Sequence, residues 1–291
     1  MYNIERNKKG DFIMLKTIKL TKEEVLRLKN RRFDFGGESY IAKSDSSDMI
    51  FKLYRESVTQ EERQNKHKKL ELVTDRKIKF IAQPQAVLTS EGQIVGHAFD
   101  YDIDDMPMLI APLSVKDKLF YFRQIKMILN YFRRNGIIFA DLKCDNILIN
   151  PKTGRLRFCD IDSIQIDDLK TSIHEEYLQQ FFKDGLVDER LHVYLHNLML
   201  LDELLVDQSS DAEDALETID LERVRKAFNL ECQKIIETIV KRKSNYHDLF
   251  LIDGIKEENI VKYKKRWLYG TFTKSNSTIR SNFKKKSRRI N

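Results

Sequence analysis

Asp141, Asn146 and Asp160 carry hard oxygen donors, and their spacing brings them to one place. They fall within Gly136–Ser163, GIIFADLKCDNILINPKTGRLRFCDIDS. This stretch reads as two short apolar strands, Asn146–Ile149 and Arg155–Cys159, joined by the turn Asn150-Pro151-Lys152-Thr153-Gly154. Proline and glycine stand where a hairpin needs them. Asp141, Lys143 and Asn146 lie at the start of the first strand, and Asp160 and Asp162 follow the second. A hairpin brings its outer ends together, so the three donors are expected to converge at one rim. Mg²⁺ suits such a rim, because it takes one or two protein carboxylates and completes its shell with water and phosphate.

The pattern resembles the catalytic core of the protein kinase family, in which a D-L-K-x-x-N loop is followed, a short hairpin later, by a metal-binding D-F-G. The matching residues here are Asp141-Leu142-Lys143-Cys144-Asp145-Asn146 and Asp160-Ile161-Asp162. The resemblance implies that Asp141 accepts the proton of an attacking hydroxyl and Lys143 steadies the transferring phosphoryl. It implies that Asn146 and Asp160 hold the metal.

The upstream chain supplies candidates for the nucleotide half. Phe33–Ala42 alternates around the break Gly36-Gly37-Glu38-Ser39, and Met49–Tyr54 is a second strand, MIFKLY. Without a Cβ, main-chain N–H groups at such a turn can approach phosphate oxygens. The turn resembles the glycine-rich loop of kinases, more nearly the G-G-E-G-x-V-Y form of some bacterial kinase-like proteins, with Ser39 in place of the last glycine. Lys52 sits inside the apolar strand, where a buried ammonium needs an anionic partner. The resemblance to V-A-I-K makes it the residue that meets the α- and β-phosphates. Thr59-Gln-Glu-Glu62 is a capping box that predicts a helix to about Val73. Kinases pair the strand lysine with a glutamate of this helix. Glu62 and Glu71 are the candidates, and Glu71, 19 residues after Lys52, is the one chosen. Ile78–Ala86, Ala86–Thr89 and Gln93–Phe99 read as strands, leading to Asp100-Tyr101-Asp102 as the hinge whose backbone would meet adenine.

A helix is predicted from Ser114 to Arg134, with Leu119, Phe122, Ile125, Leu129 and Phe132 on one face and Gly136 just past its end. It delivers the chain into Ile137–Phe139 and the Asp141 loop. Here the chain departs from the family. Phe139-Ala140 replaces His-Arg, so no arginine at this position meets a phosphorylated activation loop. Asp162 replaces the D-F-G glycine, either as a further metal oxygen or as a cap. No A-P-E follows. Ile173–Lys183 looks helical, and Asp188–Val206 is a strongly apolar helix. Asp188 reads as an N-cap or as a brace of the Asp141 loop. His192 and His196, spaced i, i+4 without H-E-x-x-H, read as helix-surface residues.

The 291 residues, 33% charged and 41% hydrophobic, are ordinary for a soluble globular protein, and the α+β class is what the kinase resemblance implies. No run of about 18 apolar residues predicts a membrane span, and the N-terminus lacks the apolar core of a signal peptide. The odd, scattered Cys144, Cys159 and Cys232 argue against a disulfide framework, for a reducing compartment and against zinc. A cytoplasmic location is expected. Net charge is +7, but eleven Lys/Arg and no acid follow Glu258, so the rest of the chain nets −4. Such a basic tail with Trp267, Tyr269 and Phe272 can attract nucleic acid or an acidic partner by charge, or remain a solvated terminus.

The resemblance therefore implies a two-lobed, protein-kinase-like fold. Residues 1–30 form an extension, 31–101 a small β-rich lobe, 102–252 a reduced, mostly helical lobe and 253–291 the tail. It implies ATP and Mg²⁺ as cofactors and transfer of the γ-phosphoryl to a hydroxyl, with serine or threonine of a protein as first acceptor. A small-molecule kinase of the same fold and a nucleotide-binding scaffold without turnover stay open.

Overall fold

The computed structural model describes residues 15–32, 34–35, 38–44, 48–172, 179, 181–205, 221–240 and 248–260. Gly36, Gly37, Ile173–Leu178, Val206 and the basic tail from Val261 lie outside them, and with them the glycine turn and the tail expectations. The structure contains both helices and strands, as an α+β protein does, and the chain divides into two compact units. The first comprises Met1–Pro112 and Ile125–His196, the second Leu113–Gln124 and Asn197–Asn291. Every described residue expected to do chemistry belongs to the first.

Local signals set the elements of the first unit. Thr21 and Thr59 each close a complete capping box, with Glu24 and with Glu62, and start helices α1 (Lys22–Asn30) and α2 (Gln60–Asp75). Before, between and after them run β1 (Lys16–Lys19), β2 (Asp34–Phe35), β3 (Ser39–Lys43), β4 (Met49–Tyr54), β5 (Pro84–Ser90) and β6 (Gln93–Asp100). These six strands form one sheet in the order β1-β5-β6-β4-β3-β2. Strand β1 is an edge of this sheet and pairs in parallel with β5. The β5–β6 turn is tight, with Glu91 and Gly92 both at positive φ, 51° and 78°, the signature of a type I′ hairpin. The predicted strand Ile78–Ala86 is not formed as such. Lys77 and Phe80 take positive φ, and before β5 only an isolated bridge from Ile81 to Phe158 forms.

Strand β4 has work on both faces, which explains its unbroken apolar character. Phe51 and Leu53 point into a core with Ile18, Leu20, Leu28, Leu88 and Ala98. Side chains alternate along a strand, so Lys52 and Tyr54 face the other way. His97 of β6 sits directly opposite Lys52 in the register. Gly96 lies opposite Leu53, and a Cβ there would overlap the Lys52 carbonyl oxygen. The sheet thus closes around Lys52 only with glycine at this position.

The hairpin that opened the sequence argument is β9 (Ile147–Asn150) and β10 (Arg155–Phe158), paired antiparallel with Ile149 opposite Leu156. The Asn150 side chain accepts from the N–H groups of Lys152 and Thr153 at 3.1 and 3.2 Å, which shapes the turn. The short strand β7 (Met106–Pro107) pairs with β9. Helix α3 (Val115–Arg134) ends before Gly136, whose φ is +69°, as a C′ glycine should be. The chain then enters β8 (Ile137–Ile138), which pairs with β11 (Gln165–Ile166). Phe132, Phe139 and Phe158 pack ring against ring with centroids 5.0–5.2 Å apart, all fully buried or nearly so, beneath the Asp141 loop. The predicted helix Ile173–Lys183 is corrected at its end, where Phe182–Lys183 is β12, paired with β13 (Leu186–Val187).

Helix α4 (Arg190–Leu205) follows Asp188, whose carboxylate accepts from Arg190 N at 2.8 Å and from the Arg190 guanidinium at 2.9 Å. Within the second unit, α5 (Leu221–Ala227) and α6 (Leu230–Val240) follow, with Cys232, Ile235, Ile236 and Ile239 buried. The Asn197 amide there bonds both Leu249 O and Leu251 N. No helix among the described residues is long and apolar enough to cross a membrane. Replacing Gly96 by alanine forces the Lys52 backbone away from β6 and is expected to lower stability by about 2 kcal/mol. Urea unfolding of wild type and Gly96→Ala measures it, and an unchanged midpoint would refute the close approach.

Candidate active site

Lys52 is 8% exposed, and its ammonium meets two carboxylates that lie more than a hundred residues downstream. It bonds Asp160 and, at 2.5 Å, Asp162 Oδ1. The chain delivers both acids through one local device. Asp160 takes the left-handed conformation (φ 58°, ψ 36°) and starts a single 3-10 turn, Ile161–Ser163. That conformation is uncommon for a residue with a Cβ, although aspartate tolerates it better than most, and it concentrates at functional sites. The turn is held by Ser163, whose hydroxyl donates to Asp160 O at 2.8 Å. Ile161 is fully buried.

Asp162 is 0% exposed and is held from several sides. Lys52 takes one oxygen, Tyr54 donates its hydroxyl to the other at 3.1 Å, and Lys66 of α2 stands 3.7 Å from it. Burial alone would raise its pKa, but Lys52 and Lys66 outweigh burial and hold it well below the usual carboxylate range. Burial likewise works against the charge on Lys52, and Asp160 with Asp162 reverses it, so the ammonium titrates above its ordinary value. Asp160 goes the other way, raised chiefly by burial. Lys52 and Asp162 thus hold one another's charge against burial, the condition for keeping charges inside a protein.

A chain of hydrogen bonds leads out from Asp162. His97 Nδ1 lies 2.9 Å from the Tyr54 hydroxyl, and His97 Nε2 lies 3.2 Å from His67 Nδ1. Since the phenol proton goes to Asp162, polarity assigns the Nδ1 proton to His97 and leaves its Nε2 as the acceptor for His67. Burial pushes the His97 pKa down to about 3.

The other arm of the hairpin supplies Asp141, Lys143 and Asn146. The Asn146 amide donates at 2.9 Å to both the main-chain and a side-chain oxygen of Asp141. Lys143 lies 2.8 Å from Asp141 Oδ2. Burial disfavours the Lys143 charge, and the Asp141 bond more than restores it. Asn146 O accepts from Cys159 N at 2.9 Å, tying the two arms just before Asp160. From beneath, His192 Nε2 accepts from Phe139 N at 2.7 Å. This corrects the surface reading of the helix histidines, since His192 and His196 are both buried. His192, pushed down to about 3 by burial and Arg133, fixes the strand that enters the Asp141 loop.

Several expected site residues stand elsewhere. Glu71 does not meet Lys52; it lies 3.5 Å from His67 Nε2, and Asp162 fills the place expected for a helix glutamate. The physical reason is that the inward face of α2 carries Lys66 and Lys69 rather than an acid. At the expected hinge, Asp100 ends β6 and Tyr101 and Asp102 follow it, and both carboxylates are engaged. Asp100 binds Arg157, and Asp102 binds Arg155 at 2.5 Å and Asn150 at 3.2 Å. Main-chain N–H groups of Asp100 and Tyr101 donate to Gln83 O and Asp48 O, so these two donors are closed to a base. The Tyr101 ring lies under Lys43 at 5.2 Å. Ser39 is buried at the start of β3, opposite Tyr54. Lys66, Lys69, Tyr54, His97 and His192 were missed. A signal existed for the first two: they sit at i and i+3 in the stripe that continues as Leu70 and Val73.

For a metal, the fit rests on donor chemistry. Asp160 and the Asn146 amide oxygen are hard oxygen donors on adjoining arms. No group of three or more His, Cys, Asp or Glu among the described residues forms a cage, and Mg²⁺ bound beside phosphates needs none.

No protein-family model matches the chain. A stretch of 48 residues, 16% of the chain, is 42% identical to Protein kinase C-like 1 of Saccharomyces cerevisiae and spans 4% of that protein. It covers too little of either chain to assign one to the other's family.

The buried histidines set a pH dependence. His97 and His192 have folded pKa values of about 3, below the ordinary 6.5. The unfolded chain therefore binds more protons between those values, and stability falls as pH drops from 6.5 towards 3. Each histidine contributes a slope of about 1.4 kcal/mol per pH unit. Urea unfolding from pH 7.5 to 4.5 should show this, and His192→Asn should flatten the slope by one proton. A slope unchanged by that substitution would refute the assignment.

Proposed function

We propose that this chain is an ATP-dependent phosphotransferase with a protein-kinase-like arrangement, moving the γ-phosphoryl of Mg-ATP to a hydroxyl, in the first instance serine or threonine of a protein. The observation that carries the reading is the meeting of Lys52 with Asp160, beside the Asp141–Lys143–Asn146 loop. In this reading residues 31–101 are the small lobe and 102–252 the larger one. The short likeness to a protein named as a kinase agrees with it.

The residues divide the work as follows. Lys52 neutralises phosphate charge in a site where burial makes that charge count. Asp162 gives Lys52 a second partner, which would keep the lysine paired when Asp160 serves as a metal ligand with Asn146. Bound Mg²⁺ supplies charge neutralisation of the phosphates. Asp141 is oriented by Asn146 and Lys143 and accepts the hydroxyl proton. Lys143, kept charged, steadies the transferring group. Positioning and charge supply most of such catalysis.

Incubation of purified protein with labelled ATP and Mg²⁺, with protein acceptors in one arm and hydroxyl metabolites in the other, tests the reading. Wild type is expected to transfer label. Asp141→Ala should lower turnover by about 10²–10⁴-fold, and Asp160→Ala should abolish it, with melting transitions retained. Nucleotide binding with no transfer in either arm would overturn the catalytic reading.

A further inference from the structure

Helix α2 buries two lysines where its stripe should be apolar. Lys66 and Lys69 are each 2% exposed and continue into the buried Leu70 and Val73. Residues at i and i+3 share a helix face, so two ammonium groups enter one buried region. Burying such charges is costly unless they are paired.

The anions nearby do not suffice. Asp162 is shared, with Lys52 on one oxygen and Tyr54 on the other, and stands 3.7 Å from Lys66. Glu38 reaches Lys66 at 2.8 Å, but its side chain is half-exposed on the turn that follows Gly36-Gly37. Among the described residues Lys69 has no hydrogen-bond or ion-pair partner. Burial and the neighbouring Lys66 pull its pKa down to about 8, which is how an ammonium behaves where an anion is missing. Ser172 Oγ, 3.3 Å from Lys66 Nζ, adds a hydroxyl. Two ammonium groups and a hydroxyl beside a displaceable carboxylate match a phosphate group.

We propose that Lys66 and Lys69 form a phosphate-binding subsite on helix α2 that takes the terminal phosphate of a polyphosphate chain, displacing Glu38. Lys52 and Lys66 both approach the Asp162 carboxylate, so the subsite adjoins the lysine assigned to phosphate above. The identification of that chain as a nucleotide's rests on the function proposed above; the subsite itself does not.

Calorimetric titration of the full chain in Mg²⁺-free buffer, with tripolyphosphate, ATP and ADP as separate probes, tests it. Wild type should bind tripolyphosphate, and ATP more tightly than ADP. Lys66→Met and Lys69→Met should each weaken tripolyphosphate by about tenfold or more, the loss of one charged hydrogen bond. Lys69→Met should also bring ATP and ADP to equal affinity. Its melting temperature should hold or rise, because an unpaired buried charge is removed; a merely structural lysine would lower it. Lys66→Arg, which keeps the charge, should retain binding and guards against a folding defect in Lys66→Met. Wild type that does not bind tripolyphosphate, or variants that bind it as wild type does, would overturn the subsite. Lys69-dependent tripolyphosphate binding without ATP binding would leave the subsite standing and overturn the nucleotide reading alone.

Discussion

One ammonium group, buried in a sheet, has to find its counter-charge, and most of the first unit is arranged so that it does. Lys52 sits on a strand whose alternate residues belong to the hydrophobic core, so it cannot turn to water without unpacking Phe51 and Leu53. Asp160 and Asp162 come to it from a different part of the chain. Whatever brings them must be rigid. The fully buried Ile161, the left-handed Asp160 and the 3-10 turn make it so. The hairpin β9–β10 carries that turn, and the Phe132–Phe139–Phe158 stack supports the hairpin.

A second set of charges fixes the hairpin from its other end. Arg155 and Arg157 of β10 bind Asp100 at the end of β6 and Asp102 and Asp105 after it, with the Arg157 and Asp105 side chains almost fully buried. The acids there anchor structure, since both strands of the hairpin have to keep their register for Asp160 to reach Lys52. The same physics appears twice: long-range ion pairs hold elements that local propensity alone would leave free. Removing one partner of a buried pair leaves a bare charge, which is costly.

Much of this was legible in the sequence because it is local. Capping boxes at Thr21 and Thr59, the Met49–Tyr54 strand, the α3 stripe and the hairpin turn all follow from spacing within a few residues. The need for an anion near Lys52 was legible too, as a lysine among apolar neighbours. Which anion met it was not. Distance along the chain from Lys52 suggested Glu71, but the face of α2 that turns inward is the one bearing Lys66 and Lys69, and Glu71 lies beside His67 instead. Tyr54, His97 and His67 form their chain only because strands β4 and β6 align Lys52 with His97, a register no local pattern encodes. His192 was misread for the opposite reason: a helix apolar on every side leaves no surface for a histidine to occupy, so it is buried and spends its acceptor on the Phe139 backbone.

The account depends on Lys52 and Asp162 being energetically coupled rather than merely close. A double-mutant cycle with Lys52→Met and Asp162→Asn, read by urea unfolding, measures that coupling directly. Each single change should cost about 3 kcal/mol, because each takes one partner from a buried charge. The double variant should cost less than the two together, giving a coupling of at least about 1.5 kcal/mol. Additivity within about 0.5 kcal/mol would mean the two groups do not hold one another, and the site built around them would not stand.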